Sequence, residues 1–193
     1  MLRSGEQVLI RPIRPEDKEG LLDGLHRLTP ESRYRRFFSP VAHLSARQLR
    51  FLTEVDHRTH EALVAIDLDS GKGIGVARFI RSTTEPTVAE AAVAVVDTWQ
   101  GRGLGTALLK ALAARGREEG VERFSASVLA GNSKMLQLVR RLSDSAVIDN
   151  TGQVAEVQVK LRRGGMPAGL SHAARLAAGG KVEVDPRHPA ASS

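Results

Sequence analysis

The segment Gln100-Gly101-Arg102-Gly103-Leu104-Gly105-Thr106 constrains this chain more than any other stretch. It follows an apolar run, Ala91 to Val96, and precedes a helical pattern that begins near Leu104. A strand is therefore predicted to end in a glycine-rich turn that opens a helix. Such a turn points several backbone N–H groups in one direction, and the helix dipole adds partial positive charge there. A pyrophosphate is the natural guest. Glycine permits the close approach and admits backbone angles with φ > 0. A glycine-rich helix start with no ligand is the competing reading, so the surrounding sequence must decide.

Three nucleotide-binding patterns compete for the turn. A dinucleotide fingerprint needs G-x-G-x-x-G early in a βαβ unit and an acid about 20 residues on. Here Thr106 stands where the third glycine belongs, and the motif lies mid-chain, although Glu122 falls near the right offset. A P-loop needs a terminal Gly-Lys-Ser/Thr, which is missing. The third pattern, Q-x-x-G-x-G, is met by Gln100, Gly103 and Gly105. It resembles the acyl-CoA pyrophosphate loop of the GNAT superfamily of N-acetyltransferases.

Composition narrows the classes. A chain of 193 residues suffices for one domain with a substantial core. No apolar run approaches a membrane span, and Met1 to Gln7 is too polar for a signal peptide. The absence of cysteine excludes disulfides, a thiolate nucleophile and cysteine-based zinc sites. A cytoplasmic enzyme is the simplest reading. The net charge of +6 favours an anionic ligand such as CoA. Nucleic acid is disfavoured, because aromatics are only 4% and the basic residues are scattered.

The order of elements follows from periodicity and punctuation. Val8 to Arg14 reads as a strand in which Pro12 marks an edge or a bulge. Pro15-Glu16-Asp17 opens a helix whose Leu21, Leu22, Leu25 and Leu28 share a face. Thr29-Pro30-Glu31-Ser32 opens a second, and the Ser45-to-Gln48 capping box a third. Strands follow over Ala62–Leu68, Ile74–Ile80 and Thr87–Asp97, the first two joined by a turn at Asp69 to Gly73. After the glycine turn come a helix to Gly120, a strand over Arg123–Leu129, and a helix over Asn132–Leu142. In that last helix Met135, Leu138, Val139 and Leu142 are expected to face inward. Ser145–Asp149 and Gln153–Leu161 close the order around Asn150-Thr151-Gly152.

The sum, β-α-α-α-β-β-β-α-β-α-β-β, implies an α/β (α+β) fold: a mixed, mostly antiparallel twisted sheet flanked by helices. It matches the GNAT order over about residues 7 to 162. We expect an acetyltransferase domain at 1–162. Residues 163–193, with 18 Gly, Ala, Pro or Ser out of 31, are expected to form a flexible tail. Ser171–Ala178 is the one stretch there that suits a short helix.

Two segments narrow the resemblance. Leu28 to Ser39 and Leu52 to Ala65 are similar to segments of bacterial Pat-type protein lysine acetyltransferases, which modify acyl-CoA synthetases. The resemblance implies acetyl-CoA as co-substrate and a protein lysine of such a synthetase as acceptor. In that group a synthetase-like or cyclic-nucleotide-binding domain is often attached, and 193 residues leave room for neither. Acetylation of a small amine is the alternative, as is a non-catalytic acyl-CoA-binding sensor. Oligomeric state is not legible.

The chemistry sets two demands. An amine of pKa about 10.4 must lose a proton before it attacks a thioester. The carbonyl oxygen that becomes negative needs a donor. No enzyme nucleophile is required, and none is evident: cysteine and a G-x-S-x-G elbow are both missing. Glu90 is the candidate base. An acid inside the apolar strand Val88 to Val93 suits proton abstraction, and its "A-E" step resembles the position of the Pat-type base. The competing reading is an acid on an exposed strand face. Glu85 is a weaker candidate beside Pro86.

The same resemblance implies that the Val95 and Val96 backbone pairs with the pantetheine arm between two splayed strands. It implies that Gln100, Gly101, Arg102, Gly103, Leu104, Gly105 and Thr106 hold the pyrophosphate. Asn132 resembles the family asparagine that faces the cofactor arm, and it also suits a helix cap. Asp56 and Glu61 are candidates to orient a cationic lysine, with ordinary surface acids as the alternative. Many relatives carry a tyrosine on the Asn132 helix, whereas the only tyrosine here is Tyr34. Arg33, Arg35 and Arg36 can grip a CoA phosphate or an acidic surface, or form a solvated helix face. His57 and His60 lack a third ligand, so no metal is expected.

Overall fold

The computed structural model describes residues 5–39, 43–143, 145–150 and 152–161. In chain order it forms β1 (Val8–Pro12), α1 (Lys18–His26), α2 (Pro30–Phe37), α3 (Ala46–Thr53), β2 (His60–Asp67), β3 (Gly73–Arg81) and β4 (Val88–Val95). Then come α4 (Leu104–Glu118), β5 (Arg123–Leu129), α5 (Ser133–Leu142), β6 (Val147–Asn150) and β7 (Val154–Lys160). Short 3₁₀ turns occupy Pro15–Asp17 and Asp97–Trp99. The predicted order of elements holds throughout. The expected tail at 163–193, its short helix and Thr151 of the last turn lie outside the described residues.

The helices start where the chain supplies partners for their first N–H groups. The Thr29 hydroxyl accepts from Ser32 N with Pro30 in the first turn, and Ser45 and Gln48 form a reciprocal box at the start of α3. Pro12 ends β1 on the sheet edge, where a missing N–H costs no ladder bond. The strand expected over Thr87–Asp97 is shorter, because Asp97–Trp99 curls into its 3₁₀ turn.

The seven strands run in the order β1-β2-β3-β4-β5-β7-β6, and every adjacent pair is antiparallel except β4 and β5. Alternation assigns the faces. Leu63, Ala65, Ala77, Phe79 and Ala89 pack under α4 with Leu104, Leu108 and Leu112. Val128, Ala155 and Val157 pack under α5 with Leu136 and Val139. The buried pair on α5 is therefore Leu136 and Val139, a register slightly rotated from the expected stripe. On the opposite face Ala62 and Val64 meet Ile13, beneath α1 and α3.

One departure from regular pairing shapes the molecule. β4 pairs with β3 along its length, from Arg81↔Ala89 to Gly75↔Val95. It pairs with β5 only at Val88↔Arg123, Ala89↔Phe124 and Glu90↔Ser125. Beyond Glu90 the two strands part, while β5 stays paired to β7 as far as Leu129↔Val154. The parting leaves a notch through the sheet between Ala91–Val95 and Ala126–Leu129.

Candidate active site at the strand notch

The notch is bounded by backbone. Val96 N donates to Ile74 O on the β3 side (3.1 Å). Alternation along β4 then turns the peptide groups of Ala91, Val93 and Val95 toward the notch. The Val95 carbonyl already accepts from the Gln100 side-chain amide (3.1 Å). Unpaired edge groups are therefore offered chiefly by Ala91 and Val93, and Val96 points the other way.

The glycine turn lies at the open end. Gly101 and Gly103 adopt φ of 79° and 90°, the left-handed region that disfavours any residue with a Cβ. Gly103 is the N-cap of α4, and the first α4 bond of the helical series is Ala107 N to Gly103 O (3.0 Å). The N–H groups of Leu104, Gly105 and Thr106 precede it and have no partner within the helix. Two side chains of this segment are committed elsewhere. Gln100 Nε2 reaches back to Val95 O and to Ser32 Oγ of α2. Arg102 pairs with Glu6 (2.7 Å) and lies over the Trp99 ring. Any anion here meets chiefly backbone N–H.

Asp97 fastens this turn to α2. It accepts from Thr29 N (2.9 Å), Thr29 Oγ1 (3.2 Å) and Ser32 Oγ (2.7 Å). Burial opposes its charge, but these hydrogen bonds outweigh that and hold the carboxyl below its ordinary value. On the other wall, Asn132 caps α5 through Oδ1 to Met135 N (3.2 Å).

Glu90 stands at the closed end, on the last residue of β4 that pairs with β5 and opposite Ile80 of β3. Its side chain is exposed on the face that carries α1 to α3. Among the described residues it makes no hydrogen bond or ion pair, and its charge acts on Arg36. A shallow polar recess beside it is lined by Arg81, Ser82, Arg123, Ser125 and Gln158. Glu85, the weaker candidate, is tied to Arg123 (2.9 Å).

The other acidic candidates are engaged in contacts of their own. Asp56 accepts from Arg58 N, Thr59 N and His60 N (2.9 Å each) and from Thr59 Oγ1. Burial disfavours its charge, yet the four bonds hold its carboxyl well below the usual range while they shape the turn into β2. Glu61 is fully buried on the α4 face, between Arg115 Nε (2.9 Å) and His57 Nδ1 (2.7 Å). Tyr34 lies on α2, across the sheet from α5. The basic run of α2 divides. Arg33 folds back onto the Leu28 and His26 carbonyls, Arg35 pairs with Glu31, and Arg36 turns under the helix toward β3 and β4.

Sequence reasoning missed Arg78. Its side chain is 5% exposed, and it donates to Leu52 O (3.2 Å) and sits 3.0 Å from His60 Nε2. Burial, then the charge of Arg36, pulls it down to about 9 from 12.5. Nothing in an isolated strand sequence distinguishes an arginine aimed beneath helices from one aimed at solvent.

His60 gives a testable pH dependence. Burial first, then the Arg78 charge, lowers it to about 4 from 6.5. The unfolded chain therefore takes up this proton first. Stability is expected to be complete above about pH 6.5 and to fall between there and about pH 4. The loss expected from Asp97 lies lower, below about pH 4, the ordinary aspartate range. Urea midpoints between pH 7 and 5 should decline in the parent and be flatter in His60→Gln. Equal slopes would show that His60 does not drive the loss.

A mixed sheet whose parallel pair opens beyond three residues, with a glycine-capped helix at the mouth of the gap, defines the class of fold. The chain matches the model of the Acetyltransferase (GNAT) family over residues 25–143, and it belongs to that family. It is 38% identical over 159 residues to acetyltransferase Pat of Mycolicibacterium smegmatis, covering 82% of this chain and 47% of that protein. The chain thus spans about half the length of that relative. The GNAT domain of S. lividans PAT superposes with a TM-score of 0.76 at 32% identity, over 82% of this chain and 93% of that one. A phosphinothricin acetyltransferase of Sinorhizobium meliloti, solved in complex with acetyl-CoA, shares the fold. Its TM-score is 0.68 at 19% identity, over 81% of this chain and 90% of that one. No helix among the described residues is long and apolar enough to cross a membrane.

Proposed function

We propose that this GNAT acetyltransferase moves an acetyl group from acetyl-CoA directly to an amine, with Glu90 as the base and a protein lysine as the acceptor. The observation that carries the reading is the position of Glu90. It is a carboxylate without a partner among the described residues, at the closed end of a notch whose open end is a glycine-capped helix start. Five residues of β4, Ala91 to Val95, lead from Glu90 to the turn before that helix start, roughly 17 Å at 3.3 Å per residue. An extended pantetheine arm fits that span. Its amides pair with the free edge of Ala91 and Val93, while the pyrophosphate meets the N–H groups from Gly103 to Thr106. The amine loses its proton to Glu90, directly or through water, and attacks the thioester carbonyl, and the CoA thiolate leaves. Asn132 borders the arm in this arrangement, Asp56 stands on the acceptor side, and Glu61, buried behind the sheet, takes no part in binding.

The protein acceptor rests on the similarity to Pat, and an acyl-CoA synthetase is the acceptor class that it suggests. Cytoplasmic action and a catalytic unit over residues 1–162 belong to the same reading. The test is turnover of acetyl-CoA with a purified acyl-CoA synthetase beside a panel of small amines, with modified sites mapped by mass spectrometry. One acetylated synthetase lysine supports the reading. Turnover on small amines alone would retain the chemistry and discard the protein acceptor. Acetyl-CoA binding without turnover on either set would favour a sensor.

The loop can be tested apart from the chemistry. Gly103→Glu forces a Cβ into the left-handed region and sets a negative charge against the anion. Acetyl-CoA affinity is expected to fall tenfold or more, a loss of about 1.4 kcal/mol or greater. Calorimetric titration showing parental affinity would refute the pyrophosphate placement.

A further inference from the structure

A cavity of about 230 Å³ lies between α1–α3 and the face of β2–β4 that carries Glu90. Most of its wall is apolar, including Leu21, Leu25, Leu28, Phe37, Leu52 and Val64. Arg36 and Arg78 also line it. Arg11 is a further wall residue, but it is neutralised by a two-pronged pair with Asp17 (2.7 Å for both bonds).

Arg36 and Arg78 have no such partner. Arg78 is 5% exposed, and its two bonds run to a carbonyl and a neutral ring nitrogen. Among the described residues the Arg36 guanidinium makes no hydrogen bond and rests over the Phe37 ring (5.0 Å). Each arginine carries five N–H donors. The acids on the cavity wall are Asp17, which is paired with Arg11, and Glu16; Glu90 lies outside the wall, and its charge acts on Arg36 without a hydrogen bond. A buried Arg78 beside a half-buried Arg36, neither hydrogen-bonded to a carboxylate, is costly, and their donors suit a planar, two-oxygen acid group. An apolar cavity with such a pair on its wall fits a molecule with one acid group and a hydrocarbon body.

We propose that this cavity binds an aliphatic carboxylate, its acid group on Arg36 and Arg78 and its chain against the leucines of α1. The site lies beside the acyl-transfer centre and does not depend on Glu90 being the base. The carboxylate belongs either to a free acid or to an acid-bearing acceptor.

The test uses the full chain and hexanoate, with hexanol as the uncharged control, by calorimetric titration. Saturable 1:1 binding of hexanoate is expected, at least tenfold tighter than hexanol. Arg36→Gln removes a donor that holds no other protein group, so it should fold normally and weaken hexanoate tenfold or more. Gly24→Leu should do the same by filling the cavity, since a Cβ at Gly24 has open space around it. Binding is read without turnover, so the result stands or falls apart from the assignment of Glu90. Competition between hexanoate and the acceptor amine would identify the acid as the acceptor's, and binding without competition would identify a free acid. No saturable binding at millimolar hexanoate, equal affinity for hexanol, or parental affinity in both variants would overturn the proposal.

Discussion

Glu90→Gln is expected to lower kcat by about 10²- to 10⁴-fold, the contribution of a positioned base, and to leave acetyl-CoA affinity unchanged. The substitution keeps the shape of the side chain and removes its ability to accept a proton. Because Glu90 makes no hydrogen bond among the described residues and is exposed, the fold loses nothing, and the melting temperature should match that of the parent. The proposed cofactor contacts are backbone groups of β4 and the glycine turn, which the substitution does not touch. Rate and affinity should therefore separate. Parental kcat in Glu90→Gln would remove it from the reaction. A joint loss of rate and affinity would mean that the side chain belongs to the cofactor site instead.

How far the sequence predicted this arrangement depends on whether the controlling interaction was local. The element order, the box opening α3 and the glycine start of α4 follow from signals a few residues apart, and the structure contains them. The place of Glu90 on the strand before the turn was legible for the same reason. The opening of β4 from β5 was an expectation from resemblance alone, since it depends on where a parallel pair ceases. The division of Arg33, Arg35 and Arg36 was not legible. Their helix faces three ways, and which way leads beneath the sheet is fixed by packing. Gln100 belongs to the loop pattern, yet its amide turns back to α2, because Asp97 and Ser32, 65 residues apart, meet there. Asp97 itself carried no signal beyond an acid after an apolar run.

Glu61→Ala should cost about 3–5 kcal/mol of stability, the range for removing one partner of a buried ion pair. In a domain of this size that corresponds to roughly 6–20 °C in melting temperature, at 2–4 °C per kcal/mol. Glu61 and Glu90 look alike in sequence, each an acid at a strand otherwise apolar, but their strands turn them to opposite faces. Glu61 is fully buried and accepts from Arg115 Nε, from Ala62 N (2.9 Å) and from the His57 ring. Truncation leaves the buried Ala62 N–H and the Arg115 guanidinium short of an acceptor. Arg115 retains Glu118 and Glu119 and is a quarter exposed, which points to the lower part of the range. Replacing both members, as Glu61→Met with Arg115→Met, should recover much of the loss, since no buried charge then stands alone. At temperatures where Glu61→Ala is folded, its KM for the acceptor should equal that of the parent. A raised KM with parental stability would return Glu61 to the substrate side, against its burial behind the sheet.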